Sequence, residues 1–299
     1  MVQLSIIVPF FNARVYLPKL LSALSAQDLP RAEFEVLLVD NASSDGSDAL
    51  AGQLLREHEL PGSVLRYAET QSSYGARNVG VVRARGKFLL FTDADCAPDP
   101  VWARRALEIL AANPGCVLSG AVDLEVVDRR NVWENFDKLA HMRNEVRAAR
   151  NEIATANMGV RREDFLRVGP FDETRSGGDF AWSRRAARCG LGVKYCPDVR
   201  VGHPTRKTRG EIEAKLRRLA YGEGQLFRKR QRSLVLGMAI NLARCVNLKV
   251  YCQYSYWMLR TVGASRVAEF NLSLFAIRLR NLENFLRGYY GIAPREPVV

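Results

Sequence analysis

The 299-residue sequence predicts an α/β fold, a mostly parallel central sheet flanked by helices and followed by a helical C-terminal appendage. Three observations lead there. Residues 4–10, 34–40 and 86–91 are short, continuous apolar runs, the pattern of strands buried on both faces. A polar turn and a helical stretch follow in a repeating order, as right-handed parallel crossovers require. The charge is also divided along the chain: residues 200–299 hold 19 Lys and Arg against 6 Asp and Glu, a net of +13, whereas residues 1–199 stand at −1.

Taken in order, the first strand (4–10) leads into a helix over about residues 16–27. The second strand ends in Asp40 and runs into Asn41-Ala42-Ser43-Ser44-Asp45-Gly46-Ser47, a turn suited to capping the next helix. Residues 64–67 read as a third short strand. The run from Gly86 then ends in Asp93-Ala94-Asp95-Cys96, so two carboxylates one residue apart emerge at the carboxyl end of a buried strand. Open α/β sheets bind ligands at that rim, and two hard oxygen donors there suit a divalent cation that itself holds phosphates. A polar turn after a strand is the competing reading of so short a motif. Asp40 and Asp93 fall on the same rim.

Several further pieces follow in order: Ser5-Ile6-Ile7-Val8-Pro9-Phe10-Phe11-Asn12, Val39 to Asp45, Ala76-Arg77-Asn78-Val79-Gly80, Asp93-Ala94-Asp95, Gly169-Pro170-Phe171-Asp172-Glu173 and Gly177-Gly178-Asp179. Together, across roughly residues 3–205, they resemble the family 2 glycosyltransferases. The resemblance implies the GT-A nucleotide-sugar-binding fold. It also implies metal-dependent, inverting transfer from a nucleoside-diphosphate sugar, a UDP-sugar foremost, to a hydroxyl acceptor. Acceptors in the family include lipid-linked sugars and polysaccharides, which places such an enzyme in bacterial-type surface glycan synthesis. By the resemblance Pro9 and Phe11 flank the base and Asp40 accepts from a base N–H or a ribose hydroxyl. Arg77 lies near base or phosphate, Asp93 contacts ribose or the metal edge, and Asp95 ligates Mn²⁺ or Mg²⁺. Asn157, in Ala154 to Val160, is the polar contact of the segment that lines the donor-sugar and acceptor pocket; a buried strand with one satisfied amide is the other reading.

Asp179 stands where the family carries its catalytic base, but Gly178 replaces the usual Glu before it. Asp179 also precedes an expected helix over 180–189, so N-capping competes with catalysis; capping bonds would favour the ionised carboxylate. The departure at Gly178 keeps open an alternative, a non-catalytic nucleotide-binding or scaffold protein with a membrane-surface-binding tail. Of the three histidines, His58 lies in a polar helix and His141 in a helical stretch over 133–150, where a packed face is the favoured account. His203 differs, because some relatives place a late histidine on the metal. It reads as a metal ligand, a pyrophosphate contact or a capped loop residue, and Arg206 beside it could meet a diphosphate bidentately.

The organisation expected is a catalytic domain over 1–206 and a basic, largely helical region over 207–299. Residues 234–262 are apolar and aromatic but interrupted by Arg244, Lys249 and Arg260, which argues against a spanning helix and for amphipathic ones. Such helices suit an anionic membrane surface, packing on the catalytic domain, or a second subunit. No nucleic-acid-binding motif accompanies the charge, so nucleic acid is not an expected partner. The six cysteines lie far apart with no C-x-x-C pair, indicating neither a zinc site nor a disulfide framework. No signal-peptide pattern precedes the first strand, so a cytoplasmic protein is expected, peripheral at the inner face of the plasma membrane. A dehydrogenase is disfavoured, since Pro9-Phe10-Phe11-Asn12 replaces the Gly-rich first turn; a nucleotidyltransferase would also need a Gly-rich, basic loop there.

Overall fold

In the computed structural model, which describes residues 1–294 apart from the side chains of Val250, Trp257, Thr261 and Val262, the first apolar run forms β1 (Leu4–Phe10), buried at every position. Helix α1 (Leu17–Ser25) follows, with Leu17, Leu20, Leu21 and Leu24 buried at helical spacing. Then come β2 (Phe34–Asp40), α2 (Ser47–Glu57), β3 (Gly62–Arg66), α3 (Ser73–Arg83) and β4 (Phe88–Thr92). The chain continues through β5 (Ala97–Pro98), α4 (Trp102–Ala112), β6 (Cys116–Glu125), α5 (Val132–Ala140), α6 (Asn144–Ala148) and β7 (Asn157–Arg161). It proceeds through α7 (Arg162–Val168), α8 (Gly178–Arg188) and β8 (Gly192–Pro204) to the helices α9 (Arg209–Lys229), α10 (Leu234–Cys245), α11 (Leu248–Val262) and α12 (Ala264–Tyr290).

The sheet runs β3-β2-β1-β4-β7-β6-β8-β5. Its first four strands are parallel, with Ile6 opposite both Val36 and Leu90. The other half departs from the expected parallel pattern, because β7 runs antiparallel to β4 and β6, and β5 antiparallel to β8. Register sets the functional rim: Phe10 pairs with Asp40 and Ile7 with Phe91, so Phe11, Asp40 and the Asp93 turn leave the sheet at the same edge. Alternation along β1 divides the core, with Leu4, Ile6 and Val8 packing on the α1 side and Ile7 on the side that holds Tyr74, Val81 and Phe91. On that second side Phe165, Phe171 and Trp182 gather around Phe91, with ring centroids 5.1–5.9 Å apart.

The chain divides into two compact units, one of residues 1–124, 142–173 and 178–204, the other of 125–141, 174–177 and 205–299. The later division thus falls two residues before the expected 206, but segments 125–141 and 174–177, read from sequence as part of the catalytic domain, pack with the C-terminal helices. In that second unit Phe136, Ile212, Met258, Val267, Phe270 and Leu274 form a separate core. Helix α9 starts with a capping box between Thr208 and Glu211. It meets α12 backbone to backbone, for a Cβ on Gly224 would lie 2.1 Å from the Phe285 carbonyl and one on Gly288 2.0 Å from that of Tyr221. The expected helix over 133–150 is interrupted: α5 stops at Ala140, Met142 adopts a left-handed φ of 53°, and α6 resumes at Asn144. Among the described residues no helix is long and apolar enough to cross a membrane.

Candidate active site

The rim loops are tied to one another before any ligand is considered. Asn12 Oδ1 accepts from the Ser44 N–H, Ser43 Oγ accepts from the Asn12 N–H (both 2.9 Å), and Ser47 Oγ accepts from the Ala13 N–H (2.8 Å). Asn41 donates its amide to the carbonyls of Tyr67 and Thr70, which ties in the loop after β3. Within this frame Asp40 is 1% exposed. Its Oδ1 accepts from the Ser43 N–H at 2.9 Å, while Oδ2 is buried and has no hydrogen-bond partner among the described residues. An unpaired buried acceptor costs free energy, and a ligand N–H or hydroxyl placed there removes that cost. Pro9 is buried at the end of β1, beyond the Ile7–Phe91 limit of the pairing with β4, so its missing N–H forfeits no ladder bond there. Phe11, just past the strand, is half-buried.

Asp95, Cys96 and His203 come together at the neighbouring turn, each offering a ligand atom within 4.8 Å of the others. His203 Nδ1 lies 2.7 Å from the Pro204 carbonyl, which can only accept, so that nitrogen carries the proton. In the neutral ring Nε2 then presents a lone pair 3.4 Å from Asp95 Oδ2. Two acceptors face each other at that distance, and a divalent cation between them satisfies both. A carboxylate and an imidazole are suitable donors for an Mn²⁺-like ion. The Cys96 thiol is pushed well up by burial and by Asp95 and Asp93, which leaves it a neutral and poor partner for such a cation. Asp93, expected at the metal edge, lies outside this group among the described residues; Arg77 holds it instead in an ion pair. Arg77, expected near base or phosphate, is 2% exposed and serves as a buried counter-ion to Asp93, with Nε unpaired among the described residues.

Asp179 sits in the first turn of α8 as its second residue and is therefore not the cap. Its Oδ1 accepts from the Tyr74 hydroxyl and from the Phe180 N–H, both at 2.9 Å. Burial pushes its carboxyl above the ordinary range, outweighing the opposing influence of Arg147, of those two hydrogen bonds and of Arg77. The hydrogen bonds do favour the ionised form, as expected, but desolvation outweighs them. A carboxyl raised in this way is a better proton acceptor near neutral pH than an exposed one.

Two expected site residues are engaged elsewhere. Asn157 is fully buried, donates to the carbonyls of Ala121 (2.8 Å) and Val199 (2.9 Å), and accepts from the Trp102 indole (2.9 Å). Its amide knits β7 to its neighbours and is not available to a sugar, a correction that follows from three filled hydrogen bonds. Arg206 belongs to the second unit, where its N–H and guanidinium both reach Asp137 Oδ2, at 3.0 and 3.2 Å. That carboxylate also receives Lys215 at 2.9 Å and His141 Nδ1 at 2.7 Å. Burial alone would raise Asp137, but the hydrogen bond from His141 and the charges of Lys215 and Arg206 hold it well below the usual carboxylate range. This buried network and Tyr74 escaped the sequence reading; the one available signal for Tyr74 was its place three residues before Arg77 on the same face of α3.

Comparison with known proteins bears on the family and the fold. The profile of glycosyl transferase family 2 matches residues 5–169, more than half of the chain. Glycosyltransferase AglE of Haloferax volcanii is 32% identical over 225 residues, covering 75% of this chain and 73% of AglE. Among solved structures, mannosyltransferase PcManGT from Pyrobaculum calidifontis, in complex with GDP-Man and Mn²⁺, aligns with a TM-score of 0.61 at 20% identity, over 97% of this chain and 86% of that one. S. aureus TarS 1–349 in complex with UDP-GlcNAc gives a TM-score of 0.57 at 19% identity, over 97% and 91%. Against the longer S. aureus TarS chain, this protein spans 55% of the length. The structural likenesses establish a GT-A-type fold, and the sequence matches establish that the chain belongs to glycosyl transferase family 2.

Proposed function

We propose that this glycosyltransferase takes its sugar from a UDP-sugar, with a divalent cation at the diphosphate and with inversion at the anomeric carbon. The observation that carries the reading is the buried, unpartnered Oδ2 of Asp40 on the same rim as the Asp95–His203 pair. One free oxygen matches the single ring N–H of uracil, whereas guanine presents a ring N–H and an amino group side by side and would call on both oxygens. Phe11 and Pro9 give the base an apolar wall. Asp95 and His203 would hold the cation, which as a Lewis acid supplies stabilisation of the charge on the departing diphosphate. Asp179 takes the proton of the acceptor hydroxyl as its oxygen bonds to the anomeric carbon and the bond to the diphosphate breaks.

Calorimetric titration with UDP, GDP, CDP and dTDP, each with Mn²⁺ and with chelator, tests the reading. The expected result is Mn²⁺-dependent binding with UDP preferred; failure of all four in the folded protein removes it. Asp40→Asn replaces the free acceptor oxygen with a group that can present N–H instead. It is expected to weaken UDP about 10–100-fold, the loss of one charge-assisted hydrogen bond. Unchanged affinity would place Asp40 outside the base site.

We also propose that the second unit docks on an anionic membrane surface, where a lipid-linked acceptor would be presented. Val235, Leu236, Leu242, Leu248, Leu259 and Leu272 are each about half or more exposed on α10–α12, interleaved with exposed Lys249, Arg260 and Arg266. Apolar side chains alternating with cations, and no described helix both long and apolar enough to cross a bilayer, suit a surface-bound protein. Flotation with vesicles containing phosphatidylglycerol is expected to carry the protein at low salt and to fall several-fold in a Leu236→Ser, Leu242→Ser, Leu248→Ser variant. Equal flotation of variant and wild type would remove the membrane, and a doubled solution mass lost in the same variant would assign the face to a second copy.

A further inference from the structure

Gly178 has a structural partner. A Cβ added there would lie 2.8 Å from Cγ and Cδ2 of Tyr74 and 2.8 Å from the Asp172 carbonyl oxygen. The room that a side chain at 178 would need is therefore filled by the ring of Tyr74. That ring is fixed on several sides: Tyr74 is 6% exposed, its centroid is 5.8 Å from that of Phe171, and the Arg77 guanidinium lies 5.5 Å from it. Its hydroxyl donates to Asp179 Oδ1. The Phe180 N–H converges on the same oxygen, so Oδ2 stands outside both bonds.

We propose that Tyr74 is the positioning residue of Asp179, aiming Oδ2 at the acceptor hydroxyl and setting the basicity of the carboxylate, and that glycine at 178 is what admits it. This deepens the reading of Asp179 as the base and rests on it. A neutral donor on Oδ1 fixes rotation of the carboxylate while leaving the other oxygen free for the proton. Burial and the Asp179 charge push the Tyr74 hydroxyl strongly up, so it remains a donor throughout the working range. The charged groups near Asp179 are Arg147 of α6, whose guanidinium lies 4.6 Å from the Phe180 ring centroid, and Arg77 of α3. Arg77 is committed to Asp93, so the hydroxyl of Tyr74 is the side-chain donor on this carboxylate, beside the backbone N–H of Phe180.

The test is Tyr74→Phe, which deletes the hydroxyl and keeps the ring in its aromatic setting. In protein labelled with ¹³C at the aspartate carboxyls, the Asp179 resonance is identified by its absence in Asp179→Asn and followed against pH. Loss of the donor is expected to carry that titration upward by roughly one pH unit, since a hydrogen bond to a charged group favours the ionised form by about that much. With UDP-GlcNAc and Mn²⁺ as the probe, release of UDP is expected to fall about tenfold in kcat, with KM within about twofold and the acid limb displaced to higher pH. An unmoved Asp179 titration overturns the proposal, and so does a loss of kcat that merely tracks a lowered melting temperature. The carboxyl titration needs no donor, so it decides the matter whichever sugar nucleotide is used. If Asp179→Asn itself keeps full turnover, it is the assignment of the base that falls.

Discussion

Asp179→Asn is expected to lower sugar transfer by about 10²–10⁴-fold while leaving Mn²⁺-dependent nucleotide binding intact. Asparagine keeps an oxygen for the Tyr74 hydroxyl and the Phe180 N–H, so the local geometry survives and only the proton acceptor is lost. The stability of the variant gives a second, independent readout. Burial raises the Asp179 carboxyl in the fold, so between its ordinary value and the raised one the folded chain binds more protons than the unfolded chain. Stability therefore falls as pH climbs through that window, and above it the fold holds a charged carboxylate at a cost that asparagine does not carry. The variant is expected to melt no lower than wild type at neutral pH. Wild-type turnover, by the same shift, should fall on the acid side at a higher pH than an exposed aspartate would give. A variant that melts lower while its folded fraction turns over at the wild-type rate would make Asp179 a structural residue of the α8 entry.

The second large effect is expected at Asp95. Loss of groups that merely support metal ligands costs about 10–100-fold in metal affinity, so removing a direct ligand should cost at least that. Asp95→Asn is expected to abolish the difference in UDP affinity between Mn²⁺ and chelator and to weaken Mn²⁺ alone, read by paramagnetic resonance of the free ion. His203→Ala should do the same, because its Nε2 faces the same carboxylate. Mn²⁺ affinity unchanged in both variants would remove the pair as ligands and leave their contact a buried hydrogen bond.

The parallel half of the fold was legible because β1, β2 and β4 are buried on both faces, which writes them as unbroken apolar runs. The antiparallel half was not. Burial of β7 between β4 and β6 produces the same apolar text in either direction, so strand orientation leaves no trace in composition. Asp40 and Asp95 could be placed at the rim because strand ends determine where they emerge, whereas His203 was suggested only by the family resemblance. Arg77 and Asn157 went astray for a common reason: a guanidinium or an amide looks identical in sequence whether it awaits a ligand or already has partners. Those partners, Asp93 for Arg77 and the carbonyls of Ala121 and Val199 for Asn157, lie 16 to 42 residues away. The break after Ala140 was hidden for the same reason, since the turn is formed by Met142 in a left-handed conformation that its residue type does not announce.

The threading of the second unit bears on how the protein is made. Phe136 and Trp133 are in the chain well before Phe270, the residue whose ring each meets at 5.0–5.2 Å. During synthesis the 125–141 segment must wait, apolar side chains uncovered, for more than a hundred further residues to leave the ribosome. Contacts so remote in sequence are slow to form and prone to capture by other chains. Chains that stop short of α12 should therefore aggregate rather than accumulate as a trimmed enzyme, and heterologous yield should depend on growth temperature and chaperone supply more than a chain of this size would otherwise suggest.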